Sequence, residues 1–169
     1  MIGRRRFARD RRGRFRPGLE APEGELLRTL ALQALELVDQ DEPSARRLFP
    51  VAYPGDHHAQ AEYRDMMGGQ LLEHHRQALE VLSSTADADA IEHGDLHAWL
   101  GALEVLRLVL GTELDVSEDV TEVLPGDPRT DQFAVYRYLS MLQDEIVDTL
   151  ARALPAAGSG AGADPVPGP

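Results

Sequence analysis

The chain has 169 residues, of which 43% are apolar and 5% aromatic, and it carries a formal charge of −12. That length suits one domain with a real core, built mainly from Leu, Val and Ala between helices. The absence of cysteine excludes disulfides, thiol nucleophiles and thiolate metal sites, no apolar run nears the ~20 residues of a membrane span, and no apolar stretch follows the Arg-rich start as in a signal peptide, so a soluble cytoplasmic protein is expected.

The charge is divided unevenly. The first sixteen residues hold eight arginines and one aspartate, a net +7, and the remainder carries −19. A split this sharp marks an interaction protein whose arm either grips an acidic partner or neutralises its own body. Residues 1–17 read as a basic β-hairpin. Asp10-Arg11-Arg12-Gly13 has the residue preferences of a type I turn. With Gly13 left-handed, a three-residue loop sets Asp10 opposite Arg14. Strand alternation then places Phe7, Arg9 and Phe15 on one face and Arg4, Arg6, Ala8, Arg14 and Arg16 on the other. An isolated hairpin is marginal in water, so the Phe face is expected to dock on the body. Arg4, Arg6, Arg14 and Arg16 are left to meet any partner. The alternative for the same residues is a disordered basic arm.

Residues 18–154 read as a helical domain. A first helix is predicted over Pro22 to Asp39, where Leu26, Leu27, Leu30, Ala34, Leu35 and Val38 recur at helical spacing. A connector from Ala45 to Asp56 carries Pro50 and Pro54, which rule out a regular helix. Leu48, Phe49 and Tyr53 are its expected anchors. A second helix spans His58 to Leu82, capped by Asp56, with Tyr63, Met67, Leu71, Ala78, Leu79 and Leu82 inward. Gly68-Gly69 interrupts it and suggests a kink or a close helix contact. Residues 83–94 read as a loop. A third helix begins with Asp95 as N-cap, buries Leu96, Trp99, Leu100, Leu103, Leu106 and Leu110, and ends at Gly111. Residues 113–129 are irregular. A fourth helix covers Thr130 to Leu154, with Phe133, Tyr136, Leu139, Leu142, Ile146 and Leu150 inward. Residues 155–169, rich in Pro, Ala and Gly, read as a disordered tail. The predicted class is therefore mainly α: a four-helix bundle-like single domain with an N-terminal β-hairpin.

No residue pattern spells out a reaction. His58 and Glu62 share a helix face, which is half a metal site, but the next histidine pair on that helix, His74-His75, lies more than about 20 Å on. No metal and no cofactor is expected. The serines lack a Gly-x-Ser-x-Gly setting, and the glycine pair lacks a following lysine. Arg107 stands out in the most apolar helix, where a guanidinium must reach solvent or meet a carboxylate. Glu104 and Glu62 are the candidate partners. The pair is either a structural bridge or a receptor for an acidic ligand, and Arg64 poses the same question. The basic arm would contact phosphate without reading sequence, but a −19 body repels a polyanion.

Three stretches carry a resemblance. They are Ala45-Arg46-Arg47-Leu48-Phe49-Pro50-Val51-Ala52-Tyr53 with Ala61-Glu62-Tyr63-Arg64; Trp99-Leu100-Gly101-Ala102-Leu103 running to Leu106-Arg107-Leu108-Val109-Leu110-Gly111-Thr112; and Val135-Tyr136-Arg137-Tyr138-Leu139 with Leu142-Gln143. Their order and spacing resemble an actinobacterial family known as domain of unknown function number two thousand and seventeen, over about Phe7 to Leu154. The family pattern has Asn-Asp where this chain has Glu104-Val105. The resemblance implies a neighbour of the Clp protease adaptor gene, with some members regarded as transcriptional regulators responding to oxidative stress. It transfers no catalytic residue, and a thiol sensor cannot carry over to a chain without cysteine. The expectation is a non-enzymatic regulatory or adaptor module acting through a protein partner. The alternatives are a nucleic-acid-associated regulator using the arm, and an enzyme or small-ligand binder around Arg107.

Overall fold

In the computed structural model, the described residues are 6–39, 48, 51–116 and 126–154. The chain opens with the predicted hairpin, β1 (Phe7–Arg9) and β2 (Phe15–Pro17). The Asp10 carboxylate accepts from the amides of Arg12 (2.8 Å) and Arg14 (2.9 Å). Gly13 takes φ 86°, which a side chain would resist. The strands pair Phe7 with Pro17, Ala8 with Arg16 and Arg9 with Phe15, and the Asp10 amide donates to the Arg14 carbonyl at 2.7 Å. The other edge of β2 continues the pairing, since Phe15 and Ile91 exchange two backbone bonds of 2.8 Å. Phe7 and Phe15 are both buried.

Four helices follow: α1 (Ala21–Asp39), α2 (His57–Thr85), α3 (His93–Glu113) and α4 (Thr130–Ala153). They pack together with α3 touching each of the other three. Its buried face runs through Leu96, Trp99, Ala102, Leu103, Val105, Leu106 and Val109. Against it lie Leu27, Ala31 and Ala34 of α1, Ala78, Leu79 and Leu82 of α2, and Leu139, Leu142 and Ile146 of α4. Trp99 is fully enclosed. Phe7 meets its ring edge to face, with centroids 6.0 Å apart. Its indole N–H donates to Thr85 Oγ1 at 2.8 Å, and that hydroxyl donates to the Val81 carbonyl at 2.6 Å. The hairpin is thus part of the core. No helix among the described residues is long and apolar enough to cross a membrane.

Several local expectations change. The second helix continues through Thr85, into what reads as loop. Its Asp56 cap is as predicted, accepting from the amides of His58 and Ala59. Only Ala78, Leu79 and Leu82 of its predicted stripe are buried, whereas Met67 is 43% exposed. Length accounts for part of this. At ~1.5 Å per residue, 29 residues span about 43 Å, and α2 is ten residues longer than α1 and eight longer than α3, so its N-terminal end has no full counterpart in either. Leu48 is a buried anchor as predicted, but Tyr53 is half exposed and rests edge-on against Tyr63 instead of the core. Phe49 lies outside the described residues, as do residues 155–169, read as a tail. The α3 N-cap is Glu92, three residues before the predicted cap Asp95, and Asp95 closes a reciprocal capping box with it. Gly111 sits inside the last turn of α3, not past its end.

Gly68 and Gly69 sit within a continuous α2, and an added Cβ at either would meet nothing within 4 Å. The predicted close helix contact is absent there. Substituting alanine at each is expected to raise stability by about 1 kcal/mol through helix propensity. Gly24 is the opposite case. Its Cβ would stand 2.7 Å from Asp87 Oδ1 and 3.1 Å from the Ala86 carbonyl. Gly24→Ala is expected to cost about 1–3 kcal/mol, because the α2–α3 turn must move to admit it. Urea denaturation followed by circular dichroism of the three variants checks the contrast in sign.

Candidate interaction surfaces

The hairpin is fastened to the body at its base. Alternation of strand faces assigns Arg6 to the outward set, but β1 begins only at Phe7, so Arg6 is free to turn inward. Its Nη1 donates to Glu23 Oε1 at 2.5 Å and its Nε lies 3.7 Å from Glu145 Oε1. Tyr138 of α4 donates its hydroxyl to the same Glu23 oxygen at 3.0 Å, and the guanidinium lies over the Tyr138 ring. Glu23 Oε2 accepts the Glu20 amide at 2.8 Å, capping α1. One carboxylate therefore ties together the arm, the start of α1 and the middle of α4. Burial pushes the Glu23 pKa up. The bonds from the Glu20 amide, Arg6 and Tyr138, with the Arg6 charge, outweigh it and leave the carboxyl below its usual range. Burial first, then Glu23, holds the Tyr138 phenol well above its usual value. The sequence signal for this clamp was Glu20-x-x-Glu23 at a helix start. Nothing local announced Tyr138.

The remaining arm residues divide. Arg14 is half buried and bonded to Asp10, its Nη2 3.0 Å from the carboxylate. Arg16 is exposed, and it lines an open groove of about 660 Å³ shared with Leu19, Gly24, Asp87 and Asp89. Arg4 lies outside the described residues. The expected set of four outward arginines is thus not what the hairpin presents. Its exposed guanidinium-bearing residues are Arg9, Arg11, Arg12 and Arg16. Arg11 and Arg12 occupy the loop, where face alternation says nothing.

Arg107 meets neither predicted carboxylate. Its Nη1 donates to the side-chain oxygen of Gln143 on α4, and its guanidinium lies 5.4 Å from the centroid of the Tyr136 ring. Its Nε is buried with no hydrogen-bond partner among the described residues. Glu104 is turned to solvent. Glu62 is exposed near the N-terminal end of α2 and pairs with His58 at 3.3 Å. Arg64 is exposed there too and makes no ion pair among the described residues. The structure therefore does not bring Arg107, Glu62, Glu104 and Arg64 into one site. Arg107 joins α3 to α4 through a neutral amide and an aromatic face. Among the described residues no three His, Asp or Glu side chains gather as a metal site.

The family model described as a domain of unknown function, DUF2017, matches residues 4–150. The chain belongs to the DUF2017 family. Among curated proteins it is similar to the oxidative stress regulator AosR of Mycobacterium tuberculosis and of Mycobacterium bovis, each 26% identical over 176 residues, covering 79% of this chain and 81% of the relative. It is also similar to the putative oxidative stress regulator AosR of Mycobacterium leprae, 27% identical over 145 residues, covering 75% of this chain and 67% of the relative. No solved structure matches the chain.

In this DUF2017 chain the quoted stretches have distinct physical roles. The Trp99 to Thr112 block lies in the buried helix α3, and Val135 to Gln143 supplies Val135, Tyr138, Leu139 and Leu142 to the core and Gln143 to Arg107. Their spacing is a packing pattern. At the positions where the family pattern has Asn-Asp, Val105 is buried and Glu104 exposed. Ala61 to Arg64 differs, since it lies near the N-terminal end of α2 and none of its residues is buried.

Proposed function

We propose that the protein is a non-enzymatic regulator in the response to oxidative stress and that it works by binding another protein. The likeness to the AosR proteins, named as regulators and not as enzymes, is the observation that carries this reading. With no cysteine in the chain, an oxidative signal does not enter through a thiol here. It arrives through the partner. The partner-binding surface is the exposed part of the hairpin, where Arg9, Arg11, Arg12 and Arg16 stand on a rigidly held element. The chemistry it fits is an acidic protein surface.

Deleting the arm is a poor test, because it also removes Phe7 and Phe15 from the core. Charge removal is cleaner. Affinity capture from the native host with the full chain should recover a defined protein. A variant with Arg9, Arg11, Arg12 and Arg16 changed to glutamine, folded by circular dichroism, should lose it. Recovery of the same protein by that variant would sink the assignment of the surface.

The exposed arginines also support a second reading, a nucleic-acid-associated regulator. Four exposed guanidinium groups on one hairpin would give phosphate contact without sequence readout. A gel shift that weakens steeply with salt and vanishes in the glutamine variant would favour it. No shift at low salt would remove it.

A further inference from the structure

The two outer edges of the hairpin differ. Across the strands, the Asp10 amide bonds to the Arg14 carbonyl and the Gly18 amide to the Arg6 carbonyl. Antiparallel pairs alternate between bonded and non-bonded. Phe7 and Arg9 of β1, and Phe15 of β2, therefore turn their N–H and C=O groups outward. On the β2 side the edge is closed, because Phe15 exchanges two backbone bonds with Ile91. On the β1 side Phe7 is enclosed but Arg9 is exposed, and among the described residues nothing outside the hairpin bonds to the Arg9 backbone. A cleft of about 350 Å³ lies beside this edge, between Phe7, Ala8 and Arg9 and the last turns of α4 at Thr149, Arg152 and Ala153.

The cleft has a charge opposite to that of the chain. Arg9 and Arg152 are its only charged lining residues, in a protein of net charge −12. Other grooves among the described residues carry carboxylates: Glu20, Asp87 and Asp89 beside Arg16, and Asp144, Glu145 and Asp148 along α4. The Arg9 side chain bonds only through Nε, to the Gly13 carbonyl at 3.3 Å. Arg152 pairs with Asp148 one turn back at 2.7 Å, with both side chains more than half exposed, so an incoming carboxylate displaces little. The C-terminal end of α4 opposes an anion by about half a charge, less than the two guanidinium groups supply.

The geometry points to this cleft as the site where an extended acidic segment of the partner protein adds a strand to β1. The inference rests on the hairpin as the partner-binding surface and specifies how that surface binds. Strand addition draws affinity from main-chain bonds and selectivity from side chains. The Arg9 N–H and C=O receive the same two-bond bridge that Ile91 makes with Phe15 on the other edge. Carboxylates on the incoming segment are met by Arg9 and Arg152. A sugar-phosphate backbone brings acceptors but no donor for the Arg9 carbonyl, so it would use the charges and leave the edge unpaired.

A nuclear magnetic resonance titration of the isotope-labelled full chain tests this. The probe is a short peptide alternating aspartate and valine, added at low salt up to millimolar concentration. Amide shifts should concentrate at Arg9, Arg152 and Ala153, and hydrogen exchange of the Arg9 amide should slow. Arg152→Gln lies on α4, outside the hairpin, and should weaken binding about five- to tenfold. Arg9→Pro should weaken it more than Arg9→Gln, because proline removes the edge N–H as well as the charge. That N–H makes no bond within the chain, so a proline there suits an edge strand, which circular dichroism checks. A peptide alternating lysine and valine should not bind. No shift with the acidic peptide, equal binding of the lysine peptide, affinity unchanged by Arg152→Gln, or Arg9→Pro no weaker than Arg9→Gln would each overturn the proposal. Equal protection of the Arg9 amide by an oligothymidylate would do the same. So would peptide-induced shifts at residues 155–169, which would make that segment of the chain the occupant. If the peptide fails while the fourfold glutamine variant still loses its host partner, the hairpin surface stands and only the cleft falls.

Discussion

Phe15→Ala is expected to destabilise the protein by about 3–5 kcal/mol, the usual cost of emptying a buried phenylalanine site. For a chain of this size that corresponds to a melting temperature lower by roughly 10 °C. The size of the effect is the point, because Phe15 lies in an arm whose composition suggests a solvated polycation. It is 1% exposed, exchanges two backbone bonds with Ile91, and lies beside His93 at the start of α3. Removing its ring opens a cavity where the hairpin meets the α2–α3 turn. Arg11→Gln and Arg12→Gln, four and three residues away, alter exposed side chains and should stay within about 0.5 kcal/mol of the parent. Urea denaturation of the three variants separates the possibilities. A disordered arm would give three values near zero. A docked hairpin gives one large value and two small ones.

The hairpin was legible because two residues determine its geometry: Asp10 caps its own loop and Gly13 takes the left-handed conformation. Once those are placed, the register leaves Phe7 and Phe15 no choice of face. Helix α3 was legible for a similar reason, since apolar residues on every side of a helix leave it nowhere to lie except the centre. What escaped has a common cause. Periodicity assigns a residue to a side of a helix but does not say how far the neighbouring helices extend. Tyr63 and Met67 fit the spacing used to assign an inner stripe, yet neither is among the buried residues of α2. Charge counting likewise looks for carboxylates near an arginine, and so passed over Gln143 and Tyr136 as the groups that receive Arg107. Arg6 escaped because alternation was extended one residue beyond the strand that enforces it. Its partners lie 17 and 139 positions along the chain, a separation local pattern does not reach.

Glu23 should give the protein a distinct pH signature. Its carboxylate accepts from the Glu20 amide, Arg6 and Tyr138, so Glu23→Ala removes three bonds and leaves a partly buried guanidinium and phenol without their acceptor. A loss of about 2–3 kcal/mol at neutral pH is expected, below the sum of three separate bonds because the clamp is partly open to solvent. Folding lowers the pKa of this group. Its contribution is therefore complete above the unfolded carboxylate value near ~4.3 and disappears as pH falls through the lower folded value. The wild-type protein should lose stability on acidification through that window, and Glu23→Gln should flatten the slope there. Tyr138 works at the other end. Folding raises its pKa, so the phenol's contribution is intact below the unfolded value near ~10 and is lost as pH rises toward the higher folded one. Tyr138→Phe should flatten the alkaline limb and only reduce the acid limb, because Glu23 loses one bond but keeps those from the Glu20 amide and Arg6. Stability measured against pH for the parent and the two single variants separates the limbs. An acid limb unchanged by Glu23→Gln would show that the Glu23 clamp does not hold the arm, which would then rest on its two phenylalanines and the Phe15–Ile91 backbone pairing. In that case Arg6 would be free to join the exposed arginines at a partner surface.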